Sequence, residues 1–133
     1  EHNHLPVVKG VPFQFGQLFE NIICNSIKYN KEKASIHVKI TSTLVAGDDL
    51  MDKGAEAGKN YLQISFSDNG IGFDQKYANK IFEVFQRLHG KDEYLGTGIG
   101  LAICKKIVKN YGGFIYATGQ EGLGATFFIC LPT

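Results

Sequence analysis

The sequence has little net charge, few prolines and no paired cysteines, and each shortage narrows the class of protein it can encode. Fourteen Lys and Arg against thirteen Asp and Glu leave a formal net charge of +1, so a strongly basic face for duplex nucleic acid is not expected. The three cysteines (Cys24, Cys104 and Cys130) form no CxxC pair, which favours buried free thiols in the reducing cytoplasm. No apolar run reaches the length of a transmembrane helix, and no signal peptide opens the chain.

The pattern of apolar residues predicts one α/β domain over residues 1–133. Helical spacing covers residues 13–29 and 99–111, and a short helix is expected over residues 77–85. Alternation of apolar and polar residues predicts strands at 4–10, 35–45, 61–67, 114–118 and 126–131. This order indicates a two-layer sandwich, in which about three helices cover one face of a mixed, mostly antiparallel sheet. Residues 47–60 are rich in Gly, Asp and Lys, which predicts a solvated loop.

The first predicted helix carries a polar stripe formed by Asn21, Asn25 and Lys28. The two asparagines are four residues apart and Lys28 lies one turn further, so all three share one helical face. Amide oxygens are hard, neutral ligands that suit Mg²⁺, which also takes oxygens from phosphates. The alternative is an ordinary solvent-exposed face. Asparagine is a poor helix former, however, and two of them in mid-helix require a reason.

Sixteen glycines are concentrated in loops, and two of these loops have the composition of ligand-binding turns. DNGIGF (residues 68–73) follows a predicted strand and holds an acceptor-only carboxylate, Asp68, that could bind an exocyclic amine of adenine. An ordinary turn is the alternative. A calcium loop is excluded because the segment lacks the further ligands and the terminal Glu that such a loop requires. GTGIG (residues 96–100) leads into a helix and exposes N–H groups to an anion. It matches neither a Rossmann fingerprint nor a Walker loop.

Taken together, these motifs resemble the GHKL ATP-binding superfamily and, within it, the sensor histidine kinases. Five boxes occur in the family's order along nearly the whole chain. They are the N box FENIICNSIKYN (19–30), the first glycine box DNGIGF (68–73), the F box IFEVFQRLH (81–89), the second glycine box with its helix GTGIGLAICKKIVKNYGG (96–113) and the closing glycine box GLGATFFICLP (122–132). A departure lies at Val11, where many members carry Asp, outside the nucleotide motifs. The resemblance implies a Bergerat-type fold that binds ATP and Mg²⁺.

The resemblance also assigns roles to residues on the first helix and around the base. Asn21 and Asn25 would hold Mg²⁺ and triphosphate oxygens, Lys28 would meet phosphate, and Tyr29 would lie against the nucleotide. Asp68 would accept the adenine amine. Three further residues would complete the base site: Gly70 in the turn, Gly72 backing the base, and Thr126 supporting Asp68 through water.

The remaining roles fall on a predicted mobile lid over residues 86–97. Arg87 would reach the γ-phosphate, and Phe82 and Phe85 would be lid hinges packed on the core. The phosphate-side positions of the second glycine box are Gly96, Thr97, Gly98, Gly100 and Leu101. Lys28 and Arg87 would supply the charge needed for catalysis.

The residue at position 21 separates a kinase from a hydrolase. Related GHKL ATPases carry a water-activating Glu where this chain has Asn21, and an amide cannot act as a general base. Glu20 lies about 100° around the helix and cannot replace it. The chain therefore resembles a histidine kinase that transfers the γ-phosphate to a histidine.

That acceptor histidine is expected on a separate dimerisation domain of the same protein, which would in turn serve a response regulator. His2, His4, His37 and His89 lack the neighbours of an acceptor, so these 133 residues are expected to be a monomeric catalytic fragment. A GHKL serine kinase and a non-catalytic nucleotide-binding module are the alternatives. The intact F box argues against the first, and the retained metal-binding and lid residues argue against the second.

Overall fold

The computed structural model describes residues 12–28, 37–83 and 100–133. In chain order these form α1 (Pro12–Lys28), β1 (Val38–Ala46), β2 (Asn60–Asp68), α2 (Gly100–Asn110), β3 (Phe114–Gln120) and β4 (Gly124–Pro132). Three short 3₁₀ segments span Gly47–Lys53, Gln75–Tyr77 and Lys80–Phe82. The strand predicted at residues 4–10 and the lid predicted at residues 86–97 lie outside the described residues.

The four strands form one sheet in the order β1-β2-β4-β3, and each neighbouring pair is antiparallel. The prediction of an α/β sandwich is confirmed. The sheet was predicted to be mixed, but its described part is antiparallel throughout. The helix count also differs, because two α-helices are described where about three were predicted.

Both α-helices lie against one face of the sheet, where the main core forms. Alternate strand residues point to this face, so Ile64 and Phe66 on β2 are buried together with Phe127 and Ile129 on β4. The helices contribute fully buried side chains to it: Leu18 and Ile22 from α1, and Cys104 and Val108 from α2. The apolar stripe predicted for α1 is therefore the stripe that packs.

The helix ends follow local rules that the sequence shows. The helix α1 begins at Pro12, as predicted for a proline in the first turn. After α2, Gly112 takes a φ of 79°, and the N–H of Gly113 donates to Val108 O over 3.0 Å. This left-handed glycine followed by a bond back to Val108 is a Schellman cap, which explains why the helix stops at the Gly112-Gly113 pair.

The helix predicted over residues 77–85 is wrong. The chain instead makes two 3₁₀ turns, Gln75–Tyr77 and Lys80–Phe82, and becomes extended at Glu83 with φ −80° and ψ 149°. The turns bring Ile81 and Phe82 into the core. The Phe82 ring meets Phe127 edge-on, with ring centroids 6.4 Å apart, so its predicted packing on the core is confirmed. Tertiary packing has overridden helical spacing in this short segment.

Residues 47–60 were predicted as a solvated loop, but Asn60 already begins β2 and residues 47–59 fold back onto the second face of the sheet. Here Ala55, Tyr61 and Cys130 form a small second core that includes side chains from β2 and β4. The segment is closed at its base by the bond from Gly47 N to Lys59 O, 2.7 Å, and by Tyr61 Oη, which accepts from Glu56 N over 3.0 Å. Its charged residues are exposed, as predicted, whereas Ala55 and Leu50 pack against the sheet.

Two of the three cysteines behave as predicted. Cys104 and Cys130 are fully buried free thiols, whereas Cys24 lies on the exposed side of α1, so its predicted burial is wrong. No helix in residues 12–28, 37–83 and 100–133 is long and apolar enough to cross a membrane.

Candidate nucleotide-binding site

Asp68, the predicted base-binding carboxylate, is the last residue of β2 and is held in a fixed orientation. Its Oδ1 accepts from Gly70 N over 2.9 Å, within the turn that follows, and from Ala125 N over 3.3 Å, on the neighbouring strand. Gly70 is itself buried. Two N–H donors from different elements therefore converge on one oxygen of a half-buried carboxylate, which fixes its direction.

Thr126 is close to Asp68 in the sheet but its hydroxyl lies elsewhere. The register pairs Thr126 with Ser67, and their hydroxyl oxygens are 2.9 Å apart. Because side chains alternate along a strand, this pair lies on the opposite face of the sheet from the Asp68 side chain. The water-mediated support that the resemblance implies for Thr126 stays a prediction. Asp68 also accepts from the backbone N–H groups of Gly70 and Ala125, which side-chain patterns cannot reveal.

Gly72 lies where the turn after β2 crosses the β3–β4 turn. It has a φ of +66°, and a Cβ there would meet the carbonyl oxygen of Gln120 and lie 2.6 Å from that of Gly124. The turns are also joined by the bond from Gly122 N to Ile71 O, 2.8 Å. The first and the closing glycine boxes therefore interlock, and Gly72 allows their backbones to approach.

A ring contact holds the same turn from the other side. Phe73 is buried, and a Cβ at Gly119 would lie 2.7 to 2.8 Å from atoms of its ring. The absence of a side chain at Gly119 thus creates the space that Phe73 fills. Residues 68–73 are consequently anchored at both ends, by the Asp68 carboxylate and by the Phe73 ring.

The polar stripe of α1 begins at Asn21, which is half-buried beside the fully buried Leu18 and Ile22. Glu20, one position before it, is exposed. The backbone of α1 continues as helix through Asn25 and Lys28, so the predicted i, i+4 spacing of the stripe is retained. Tyr29 lies outside the described residues.

Asn21 is joined to the second helix through a thiol that the sequence analysis treated only as core. Cys104 Sγ donates to Leu18 O over 3.7 Å, between α2 and α1. Burial raises the pKa of Cys104 to about 12, while a hydrogen bond from the Asn21 side chain acts in the lowering direction. The contact places Asn21 at the junction of the two helices.

Gly100 is the first residue of α2, so the second glycine box does lead into a helix N-terminus as predicted. Leu101 is half-buried and packs against the main core. The remaining predicted phosphate-side residues, Arg87, Gly96, Thr97 and Gly98, lie outside the described residues, as does Phe85.

The donor set suits a cation that is bound jointly with phosphate. In the described ranges, His, Cys, Asp and Glu side chains form no group of three that could hold a metal ion by themselves. An ion on the α1 face would depend on amide oxygens and on phosphate oxygens, which is how Mg²⁺ commonly binds beside nucleotides. The amide at Asn21 fits that requirement.

Comparison with known proteins identifies the class of this domain. Residues 10–133 match the family of histidine kinase-, DNA gyrase B-, and HSP90-like ATPases, and the chain belongs to that family. Within it, similarity to sensor kinases in both sequence and structure identifies a histidine kinase catalytic and ATP-binding domain.

The particular relatives support this assignment along nearly the whole chain. It is 43% identical over 132 residues to cyanobacterial phytochrome A of Nostoc sp., covering 98% of this chain and 15% of that protein. It is 35% identical over 125 residues to the sensor protein kinase WalK of Staphylococcus haemolyticus, covering 91% and 18%. Full-length ShkA in complex with AMPPNP matches with a TM-score of 0.67 at 25% identity, over 90% of this chain and 21% of that chain. The chain thus spans about a fifth or less of each of these three proteins.

Proposed function

We propose that this domain binds Mg²⁺·ATP and transfers the γ-phosphate to a histidine on a separate dimerisation domain of a longer sensor kinase. The phosphate would then pass to a response regulator. The observation that carries the proposal is the combination of a fixed acceptor, Asp68, with a helix face that offers the amide of Asn21 instead of a carboxylate. Family membership supports nucleotide binding, and position 21 distinguishes transfer from hydrolysis.

Recognition of the base rests on Asp68. Its carboxylate accepts the exocyclic amine of adenine, and the Gly70 and Ala125 N–H groups hold it in place for that purpose. An acceptor that is already oriented loses little conformational entropy when the base binds. Gly72 keeps the turn flat against the closing glycine box, so backbone rather than side chain lies beside the base.

The triphosphate lies between α1 and the N-terminus of α2. Asn21 and Asn25 offer amide oxygens to Mg²⁺, which neutralises phosphate charge when bound. Lys28 and Arg87 add positive charge, and the glycine turn before α2 offers N–H groups at a helix N-terminus. Phosphoryl transfer depends mainly on such positioning and charge stabilisation.

Water is a poor competitor for the γ-phosphate in this site. The Asn21 amide cannot remove a proton from water, and the exposed Glu20 lies about 100° around the helix from it. The domain therefore retains ATP until an imidazole nitrogen from the dimerisation domain attacks. The P–N bond then forms as the bond to the ADP oxygen breaks.

The proposal is tested with radiolabelled ATP and the parent protein's dimerisation domain supplied in trans. We expect no label on this domain alone, slow phosphate release, and label on the partner that is stable to alkali and lost in acid. Acid-stable label would indicate a serine kinase. Rapid phosphate release by the domain alone would indicate an ATPase, and ATP binding without any transfer would indicate a silent module; each of these three results would contradict the proposal.

A further inference from the structure

The side chain of Gln75 bonds to β3, an edge strand of the sheet in the part of the chain that the structure describes. Its Oε1 accepts from Gly119 N over 2.9 Å, and its Nε2 donates to Ala117 O over 3.5 Å. Ala117 and Gly119 lie on β3, which is the last strand in the order of the four described strands. One side-chain amide thus occupies the N–H and C=O positions that a further strand would use.

The backbone at Gln75 is itself held in place. Asp74 Oδ1 accepts from Lys76 N over 3.1 Å, and the 3₁₀ turn closes with bonds from Tyr77 N to Asp74 O, 2.9 Å, and from Ala78 N to Gln75 O, 3.1 Å. A capped turn limits the positions that the side chain can reach. The two bonds from Gln75 therefore hold this turn against β3 at Ala117 and Gly119.

These contacts span the turn that carries the base-binding carboxylate. Asp68 is tied to β4 at the start of the turn by Ala125 N, and Gln75 is tied to β3 at its end. Between them, Gly72 approaches the β3–β4 turn and Phe73 packs on Gly119. Movement of the end of this turn, at residues 74 and 75, away from the sheet would therefore break the Gln75 contacts.

We propose that Gln75 is a positioning residue for base recognition: it holds the turn so that Asp68 and the backbone at Gly72 keep the geometry that adenine requires. The inference rests on the proposed function, because it concerns the same base site. Gln75 itself touches no nucleotide in this scheme. Gln75 acts on the base only through the position of the turn. Loss of its side-chain amide therefore alters the affinity for the base and leaves metal binding at α1 unchanged.

The test compares Gln75→Leu with Lys76→Ala in binding and in stability. Leucine preserves much of the side-chain size but removes both the donor and the acceptor, whereas Lys76 lies next in the same turn with its side chain mostly exposed. We expect Gln75→Leu to weaken ATP binding about fivefold, the equivalent of one ordinary hydrogen bond, and to reduce the preference for ATP over GTP. The factor by which Mg²⁺ strengthens binding should stay the same, and Lys76→Ala should match the unaltered chain.

A double-mutant cycle with Asp68→Asn shows whether the effect passes through the base site. We expect Gln75→Leu to lose most of its effect on ATP affinity once Asp68 has been altered. An equal effect in both backgrounds, or lower unfolding stability with unchanged nucleotide preference, would show that Gln75 serves only the fold and would overturn the inference. Unchanged nucleotide preference in Asp68→Asn alone would overturn the role of Asp68 in the proposed function, and this inference with it.

Discussion

The backbone N–H of Ala125 donates to Asp68 Oδ1 over 3.3 Å, which joins the closing glycine box to the first one across paired strands β4 and β2. The same oxygen accepts from Gly70 N, within the turn, over 2.9 Å, so the neighbouring strand and the turn hold the carboxylate together. The orientation of Asp68 therefore depends on the sheet as much as on the loop.

We expect ATP to bind at least about tenfold more tightly than GTP, because guanine presents a carbonyl oxygen where adenine presents an amine. Two acceptors facing each other leave a hydrogen bond unmade at a cost of about 1–3 kcal/mol. Isothermal titration with both nucleotides measures the ratio. Asp68→Asn should reduce it, and Asp49→Asn, on the exposed segment of the second face, is the control. Equal affinities for ATP and GTP in the unaltered chain would remove Asp68 from base recognition.

Gly72→Ala should destabilise the domain more than a substitution at another left-handed glycine. Both Gly72 (φ +66°) and Gly58 (φ +76°) would place an alanine in a conformation that costs roughly 1–2 kcal/mol. Of these two positions, only at Gly72 does the new Cβ also meet backbone carbonyl oxygens. A Cβ added at Gly58 would find no atom within 4 Å outside its chain neighbours. Urea unfolding of Gly72→Ala and Gly58→Ala separates the two contributions. Equal losses of unfolding free energy would contradict the close approach at Gly72.

Asn25→Ala should leave the domain folded while removing most of the Mg²⁺-dependent part of its nucleotide affinity. The reason is the loss of an amide oxygen from the metal's ligands. Titration of a non-hydrolysable ATP analogue with and without Mg²⁺ measures the effect. Glu20→Ala, an exposed position on the same helix, is the matched control. A mutant that retains the Mg²⁺ dependence of the unaltered chain would place the metal elsewhere.

Arg87→Ala should slow phosphate transfer much more than it weakens ATP binding. The charge at this position matters most as the γ-phosphoryl group leaves, and losing one such group commonly costs about a hundredfold in rate. Single-turnover transfer to the dimerisation domain gives the rate, and titration gives the affinity. Lys91→Ala, which removes another cation from the predicted lid at residues 86–97, is the comparison. Losses of equal size in rate and in affinity would assign Arg87 to binding alone.

The cysteines should differ in their reaction with an alkylating reagent at pH 8. Burial raises the pKa of both Cys104 and Cys130 to about 12, so these thiols stay protonated and unreactive in the folded domain, whereas Cys24 is exposed. Mass spectrometry should find one modified cysteine under native conditions and three in urea. Because burial raises both folded pKa values above the ordinary thiol value of 9.0, the two thiols favour the folded state below pH 9. This contribution of the two thiols to the free energy of unfolding is lost as the pH rises from 9 towards 12. A free energy of unfolding that stays constant over this pH range would contradict the raised pKa values of Cys104 and Cys130.

Local chemistry in the sequence was enough to predict most of the elements. The proline at position 12 and the glycine pair after α2 mark helix ends through backbone geometry, and strand alternation reports which side chains face the core. These signals failed where contacts distant in sequence decide the outcome. Within residues 75–83 the chain makes two 3₁₀ turns because Ile81 and Phe82 pack into the core, and residues 47–59 cover the sheet because Tyr61 and Cys130 leave an apolar surface there.

The class of this domain follows from residue identity and spacing, because the order of the five boxes and the amide at position 21 can be identified directly in the sequence. What holds the Asp68 carboxylate depends instead on the fold. Three contacts join residues that are 42 or more positions apart in the chain. They are the Ala125 N–H that reaches Asp68, the Gln75 amide on the edge of β3, and the Cys104 thiol beside Asn21. Nearly every residue has the same backbone N–H and C=O groups, so residue identity does not show which of them bind a given side chain. The register of the antiparallel strands determines that.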